Sequence, residues 1–142
     1  IDGAPSIVID GDSPHVTTLP GMPATLGLVD VWASAGLPPA NAPSAADAVP
    51  PEFAIAPGPD GTLFRVVQFP PAGSGADPLW HRTDTLDYNV VLDGELWFLC
   101  KGGEVSLAAG ECIVVRGIEH AWDNRSRAIC RLAAVSIAAA PA

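Results

Sequence analysis

Two of the three histidines, one carboxylate and one hydroxyl fall at spacings that would bring them together. In "HRTDTLDY" His81 and Thr83 are two residues apart, so a regular strand puts them on one face. Asp87 rejoins that face across a bend at Thr85-Leu86. Farther on, "RGIEHAWDN" gives His120 and Trp122 one shared face, with Gly117 three residues before His120 and Asn124 four after it. Imidazole and carboxylate together offer an acid and a base. Arg116 opens the turn before His120 and would meet either a substrate anion or Asp87 itself. Plainer uses compete with these. The histidines would serve as hydrogen-bonded, inert groups at a barrel mouth. Trp80, Trp97 and Trp122 would serve as core or interface, although Trp122 has a spacing argument for a pocket. Asn124 and the glycines would be turn and packing residues. Tyr88 should face away from Asp87 by alternation and enter the core.

The elements that must position these residues read as strands. "GTLFRVVQFPP" is a strand ended by Pro70-Pro71, and "RAICRLAAVSIA" is a last strand. Between them, "DYNVVLDGELWFLCKGGEVSLAAGECIVVRG" is cut by Asp93-Gly94, Gly102-Gly103 and Ala109-Gly110. Asp-Gly and Gly-Gly suit tight hairpins because they tolerate positive φ. Turns recur every 8 to 16 residues with no long helical stretch between them, which predicts an antiparallel sandwich or small barrel.

Residues 1–60 differ in texture. They hold 11 of the 15 prolines, a density that no helix survives. "SIVID", ending at Asp10-Gly11, and "TLGLVDVWAS" are β-like, and residues 36–52 read as a loop. This half is expected to be an extended arm that adds strands to a barrel over 61–138 within a single domain. The arm must bury "TLGLVDVWAS", and a strand added to its own or a partner's sheet would do so and cover an edge; a homodimer is expected.

The 142 residues fit one domain that can bury a core. The net charge is −9, with −7 in residues 1–60 and −2 in the rest, so nucleic acid and anionic membrane are not expected partners. No apolar run approaches the roughly 20 residues of a bilayer span, and no signal-like segment opens the chain. Cys100, Cys112 and Cys130 are odd in number, have no CxxC spacing and sit among apolar residues; buried, reduced thiols in a cytoplasmic protein are expected.

The spacing resembles the two motifs of the cupin superfamily. The first, G-x5-H-x-H-x3–4-E-x6-G, is matched by Gly75, His81, Thr83, Asp87 and Gly94. The second, G-x5-P-x-G-x2-H-x3-N, is matched by Gly110, Gly117, His120 and Asn124, one residue shorter and without the proline. Fifteen residues separate Gly94 from Gly110, as in small single-domain cupins. The runs "HRTDTLDY", "VVLDGEL" and "VVRGIEHAWDN" resemble small bacterial and fungal cupins, several of which act as lyases on secondary metabolites. The resemblance covers about residues 61–138 and implies an all-β, antiparallel barrel or jelly roll with a proline-rich N-terminal arm.

Carried over residue by residue, His81 and His120 match the first and last metal histidines. Asp87 stands where the family has glutamate and Thr83 where it has the second histidine. Asp is one methylene shorter than Glu, and Thr is a poor ligand for a divalent metal. His81, Asp87 and His120 remain, a set used by open-sided non-haem iron sites and acceptable to zinc, manganese or nickel. The implied function is a metal-dependent lyase or isomerase that decarboxylates, dehydrates or moves a proton on a small oxygenated compound. Thr83, Asn89, Arg116 and Trp122 would contact that substrate. The alternatives are an iron-dependent dioxygenase on the same three residues and a metal-free small-molecule binding module.

Overall fold

The structure, a computed structural model, describes residues 3–19, 22–23, 26–41, 47–75 and 77–141. Thr25 of the "TLGLVDVWAS" segment and residues 42–46 of the expected 36–52 loop lie outside them. Nine strands form among the described residues: β1 (Val16–Thr18), β2 (Gly27–Ser34), β3 (Thr62–Phe69), β4 (Thr85–Asp93), β5 (Glu95–Cys100), β6 (Gly103–Ala108), β7 (Cys112–Arg116), β8 (His120–Asp123) and β9 (Cys130–Ala138). They build a six-stranded sheet in the order β1-β2-β3-β9-β4-β7 and a three-stranded sheet in the order β6-β5-β8. Every pairing is antiparallel, and the described residues contain no helix, as the turn spacing predicts. No helix is therefore long and apolar enough to cross a membrane.

The turns explain the boundaries. β4 passes to β5 through Gly94, whose φ of 78° disfavours other residues and whose added Cβ would lie 3.1 Å from Cys130 and from the Ile129 carbonyl. Pro70-Pro71 ends β3, because proline has no N–H for the ladder. The core lies between the sheets, where Val91, Leu96, Leu107, Cys130 and Leu132 are buried and Phe69, Ile113 and Trp122 pack against them.

The arm adds β1 and β2 to one end of the larger sheet. β2 pairs with β3, and Asp30 stands opposite Arg65 in that register. Their side chains form a buried, two-pronged ion pair, with Arg65 Nε and Nη2 donating to the Asp30 carboxylate at 2.7 and 3.1 Å. The same guanidinium donates to the backbone oxygens of Ala54 and Ile55 and lies over the Phe53 ring. One arginine thus fastens a second arm segment to the barrel.

Four expectations need correction. "SIVID" forms no strand, and Ile7 is 86% exposed; β-propensity makes a strand only where an edge supplies hydrogen bonds, and Val16–Thr18 takes that edge. Tyr88 faces away from Asp87 but does not enter the core; it is 49% exposed because the inward face of β4 is the polar one. Cys130 is buried, yet Cys100 is half-buried and Cys112 exposed, the latter because its register partner Val90 belongs to the outer face. Arg116 neither meets Asp87 nor reaches the interior: it stands opposite Leu86 on the outer face, while Asp87 stands opposite the buried Val115.

Candidate active site

The two histidines meet through their backbones. His81 and His120 form an antiparallel bridge, each N–H donating to the other's carbonyl at 3.0 Å. Directly paired residues put their side chains on one face. The ring centroids are accordingly 4.4 Å apart. His120 also stacks on Phe98 at 5.4 Å and meets Trp122 edge-on at 6.1 Å, which leaves it 3% exposed. Each ring is oriented by a local carbonyl. His81 Nδ1 is 3.0 Å from the Leu79 oxygen, and His120 Nδ1 is 2.8 Å from the Ile118 oxygen. A carbonyl only accepts, so both Nδ1 atoms carry the proton and both Nε2 atoms are left as acceptors in the neutral rings. Burial pushes the His120 ring below its ordinary pKa; the Ile118 bond opposes this, His81 adds to it and Asp87 opposes it.

The larger sheet supplies the other side. Asp87, Ser136 and Leu63 stand in one cross-strand row, and Asn89, Ala134, Arg65 and Asp30 in the next. Asp87 and Asn89 are 8% and 7% exposed. Asp87 Oδ1 is buried without a hydrogen-bond partner, the one such side-chain oxygen or nitrogen among the described residues. Buried acceptors rarely stand unpaired, since an unmet one costs about 1–3 kcal/mol. The small side chains of Ala134 and Ser136 leave space above β9, and a cavity of about 420 Å³ opens there.

That cavity is lined by His81, Thr83, Asp87, Asn89, His120 and Trp122 together. Arg116, the remaining expected substrate contact, is not among the lining residues. Thr83 spends its hydroxyl locally on the Thr85 hydroxyl at 2.7 Å. Asn124 is structural: its amide nitrogen donates to the Pro70 and Ala128 carbonyls and its oxygen accepts from Ser126, which fixes the turn after β8. Trp97 lies under the Arg125 guanidinium, 4.3 Å from ring centroid to carbon.

Sequence reasoning missed Ser136, Arg65 and the arm residues of the wall. Ser136 had a faint signal in "AAVSIA", where small residues alternate with larger ones. Arg65 and the arm had none, because their place depends on the pairing of β2 with β3. Among the described residues no three His, Cys, Asp or Glu side chains form a metal-holding group. The site instead offers a histidine pair and a separate carboxylate facing one cavity.

The two antiparallel sheets are similar in fold to the cupin domain of Schizosaccharomyces pombe Cnp3, with a TM-score of 0.53 at 15% identity, over 84% of this chain and 66% of that one. The chain therefore has the fold of a cupin domain. Over 70 residues it is 43% identical to the oryzines biosynthesis cluster protein J of Aspergillus oryzae, covering 49% of this chain and 37% of that protein. Over 85 residues it is 41% identical to the phomopsin biosynthesis cluster protein C' of Diaporthe leptostromiformis, covering 58% of this chain and 43% of that protein. The chain therefore spans less than half the length of these curated relatives. No protein-family model matches it.

Proposed function

We propose that this chain is an enzyme of the lyase or isomerase kind, acting on a small oxygenated organic compound in a biosynthetic route. The relatives named as biosynthesis cluster proteins support the setting. The observation that carries the reading is the unpaired, buried Asp87 oxygen in the same cavity as two imidazoles whose Nδ1 atoms are spent on carbonyls. Stability alone gives no reason to bury that oxygen, and a reacting proton or a cation does.

As they stand, His81, His120 and Asp87 are not gathered into a metal-holding group, but their two imidazole nitrogens and carboxylate oxygen are donor types that zinc, manganese, iron or nickel accept, and holding an ion would require the three to draw closer. Such an ion, when bound, polarises a carbonyl or enolate oxygen. The chain's own residues do the rest. Where no ion is bound, Asp87 is free to hold the proton that the reaction moves. Asn89 and Ser136 orient the oxygenated end of the substrate. Trp122 and Phe69 exclude water. If no ion binds, His120 Nε2 is the base, kept neutral by burial.

A homodimer belongs to the same proposal. Its support is an outward row in register across five strands, Trp32, Phe64, Val135, Tyr88 and Val114, four of which are 38% to 55% exposed. A cytoplasmic setting is proposed from the three free thiols.

The test is a screen of untagged protein for loss of CO₂, loss of water or isomerisation. Hydroxy-ketones, keto acids and phenolic acids would be offered with and without added metal. Turnover that needs His120 and Asp87 supports the reading. Oxygen uptake after iron is restored would instead make the chain a dioxygenase. Tight retention of an unreacted ligand with no turnover would make it a binding module.

A further inference from the structure

The cavity is not uniformly polar, and its polar and apolar linings come from different parts of the chain. The histidine pair, Asp87, Asn89 and Ser136 are polar lining. Leu19, Met22, Leu26, Leu28, Phe53 and Ile55, all from the arm, are apolar lining, with Phe53 and Ile55 against Arg65. The sheet floor changes along the strands. The row of Asp87 and Ser136 gives way, four residues along β9, to the row of Leu28, Val67, Leu132 and Val91. Four residues at 3.3 Å each separate the rows by roughly 13 Å.

Charge adds a second constraint. Two arginines line the cavity, and both are engaged. Arg65 is bound by Asp30 and by the Ala54 and Ile55 carbonyls, and Arg125 by Glu104 and Asp123. Among the described lining residues there is no lysine, while Asp77, Asp87 and Asp123 contribute carboxylates. A ligand carboxylate placed at the histidine end would face buried Asp87 without an uncommitted guanidinium to meet it.

We infer that this site takes an uncharged, amphipathic compound, with a carbonyl or hydroxyl head at the histidine pair and an aliphatic or aromatic body against the N-terminal arm. The volume suits such a molecule, since 420 Å³ at ~30 Å³ per water-sized unit holds about a dozen non-hydrogen atoms. The inference rests on the proposed function for the place of the head. Within it, dehydration and isomerisation, which need no carboxylate in the substrate, are favoured over decarboxylation. The arm becomes a specificity element, held by the Arg65 clamp on Ala54 and Ile55.

The experiment is calorimetric titration of the full chain, as purified and without added metal, with 2-alkanones of five to eleven carbons and with alkanoic acids of the same lengths. Ketone affinity should rise about fourfold per added methylene until the cavity is full. Each acid should bind at least tenfold more weakly than its matched ketone. Phe53→Ala should weaken the longest ketones about tenfold and the shortest less than twofold, and Met22→Ser should reproduce that pattern if Phe53→Ala fails to fold. Affinity that is flat with length, absent at every length, or as high for acids as for ketones overturns the inference. A steep length dependence with no turnover of any compound upholds it and removes the enzyme reading. Turnover of short polar compounds with flat affinity does the reverse.

Discussion

The two faces of β4 differ in the opposite sense from most half-buried strands. Its inward residues Thr85, Asp87 and Asn89 are polar and buried, while Tyr88 and Leu92 on the outward face are apolar and about half exposed. An antiparallel strand ordinarily turns its apolar side inward. The inversion is confined to the cavity end: two residues past Asn89, Val91 is fully buried in the apolar core. Alternation therefore separates two faces without saying which is inside. A polar inside is tolerated where it borders a cavity that a ligand, a proton or an ion can complete. The apolar outside then requires its own explanation, and the second subunit proposed above would supply one.

This contrast can be broken from either side. The largest effect should come from His120→Ala. Losing an acid–base group removes about 10²–10⁴-fold of rate, and turnover of any substrate found in the screen is the measurement. Next is Arg65→Met, which leaves the buried Asp30 carboxylate unpaired and should cost about 3–5 kcal/mol in urea unfolding. Adding Asp30→Leu should restore most of that loss, because it removes the stranded charge. If the single variant is as stable as the parent, the clamp is not what fixes the arm.

Asp87→Asn keeps the shape and removes the charge. A metal enzyme should lose affinity for its ion and recover partly in excess metal, whereas a metal-free one should lose rate without recovery. Its melting temperature should stay the same or rise, because the parent buries an unpaired oxygen. A large fall in stability would show that Asp87 is there for folding. On the outer face, Tyr88→Glu should halve the mass in sedimentation while leaving catalysis per chain nearly intact. An unchanged mass removes the proposed interface.

The smallest effect belongs to Asp93→Asn. Arg131 holds the Asp93 carboxyl below its ordinary value of 3.8. A folded-state pKa below the unfolded one contributes stability that is present above the unfolded value and lost as pH falls through the folded one. The variant should match the parent's melting temperature within a degree or two at pH 7 and show a flatter decline in acid.

Much of the barrel could be read without coordinates. Asp93-Gly94 and Gly102-Gly103 are hairpin chemistry, Pro70-Pro71 can only end a strand, and a period of two fixes which neighbours share a face. Those are local rules, acting over a few bonds, so residues 61–138 carried their strands on the surface of the sequence, together with His81, Thr83, Asp87, Asn89, His120 and Trp122 of the cavity lining. His81 and His120 were paired by motif spacing alone. Three matters lay outside the reach of local rules. Which face of β4 lies inside depends on what the opposing sheet brings to it. Arg116 turned outward for the same reason, although it is only four residues from His120. The arm's share in the cavity wall depends on β2 finding β3 across more than 25 residues of proline-rich chain and on Arg65 fastening Ala54 and Ile55. Over residues 61–138, sequence determined where strands begin and end, because turn chemistry and alternation are properties of neighbours. Tertiary structure alone decided which side of each strand became the interior, because burial is a property of what packs opposite.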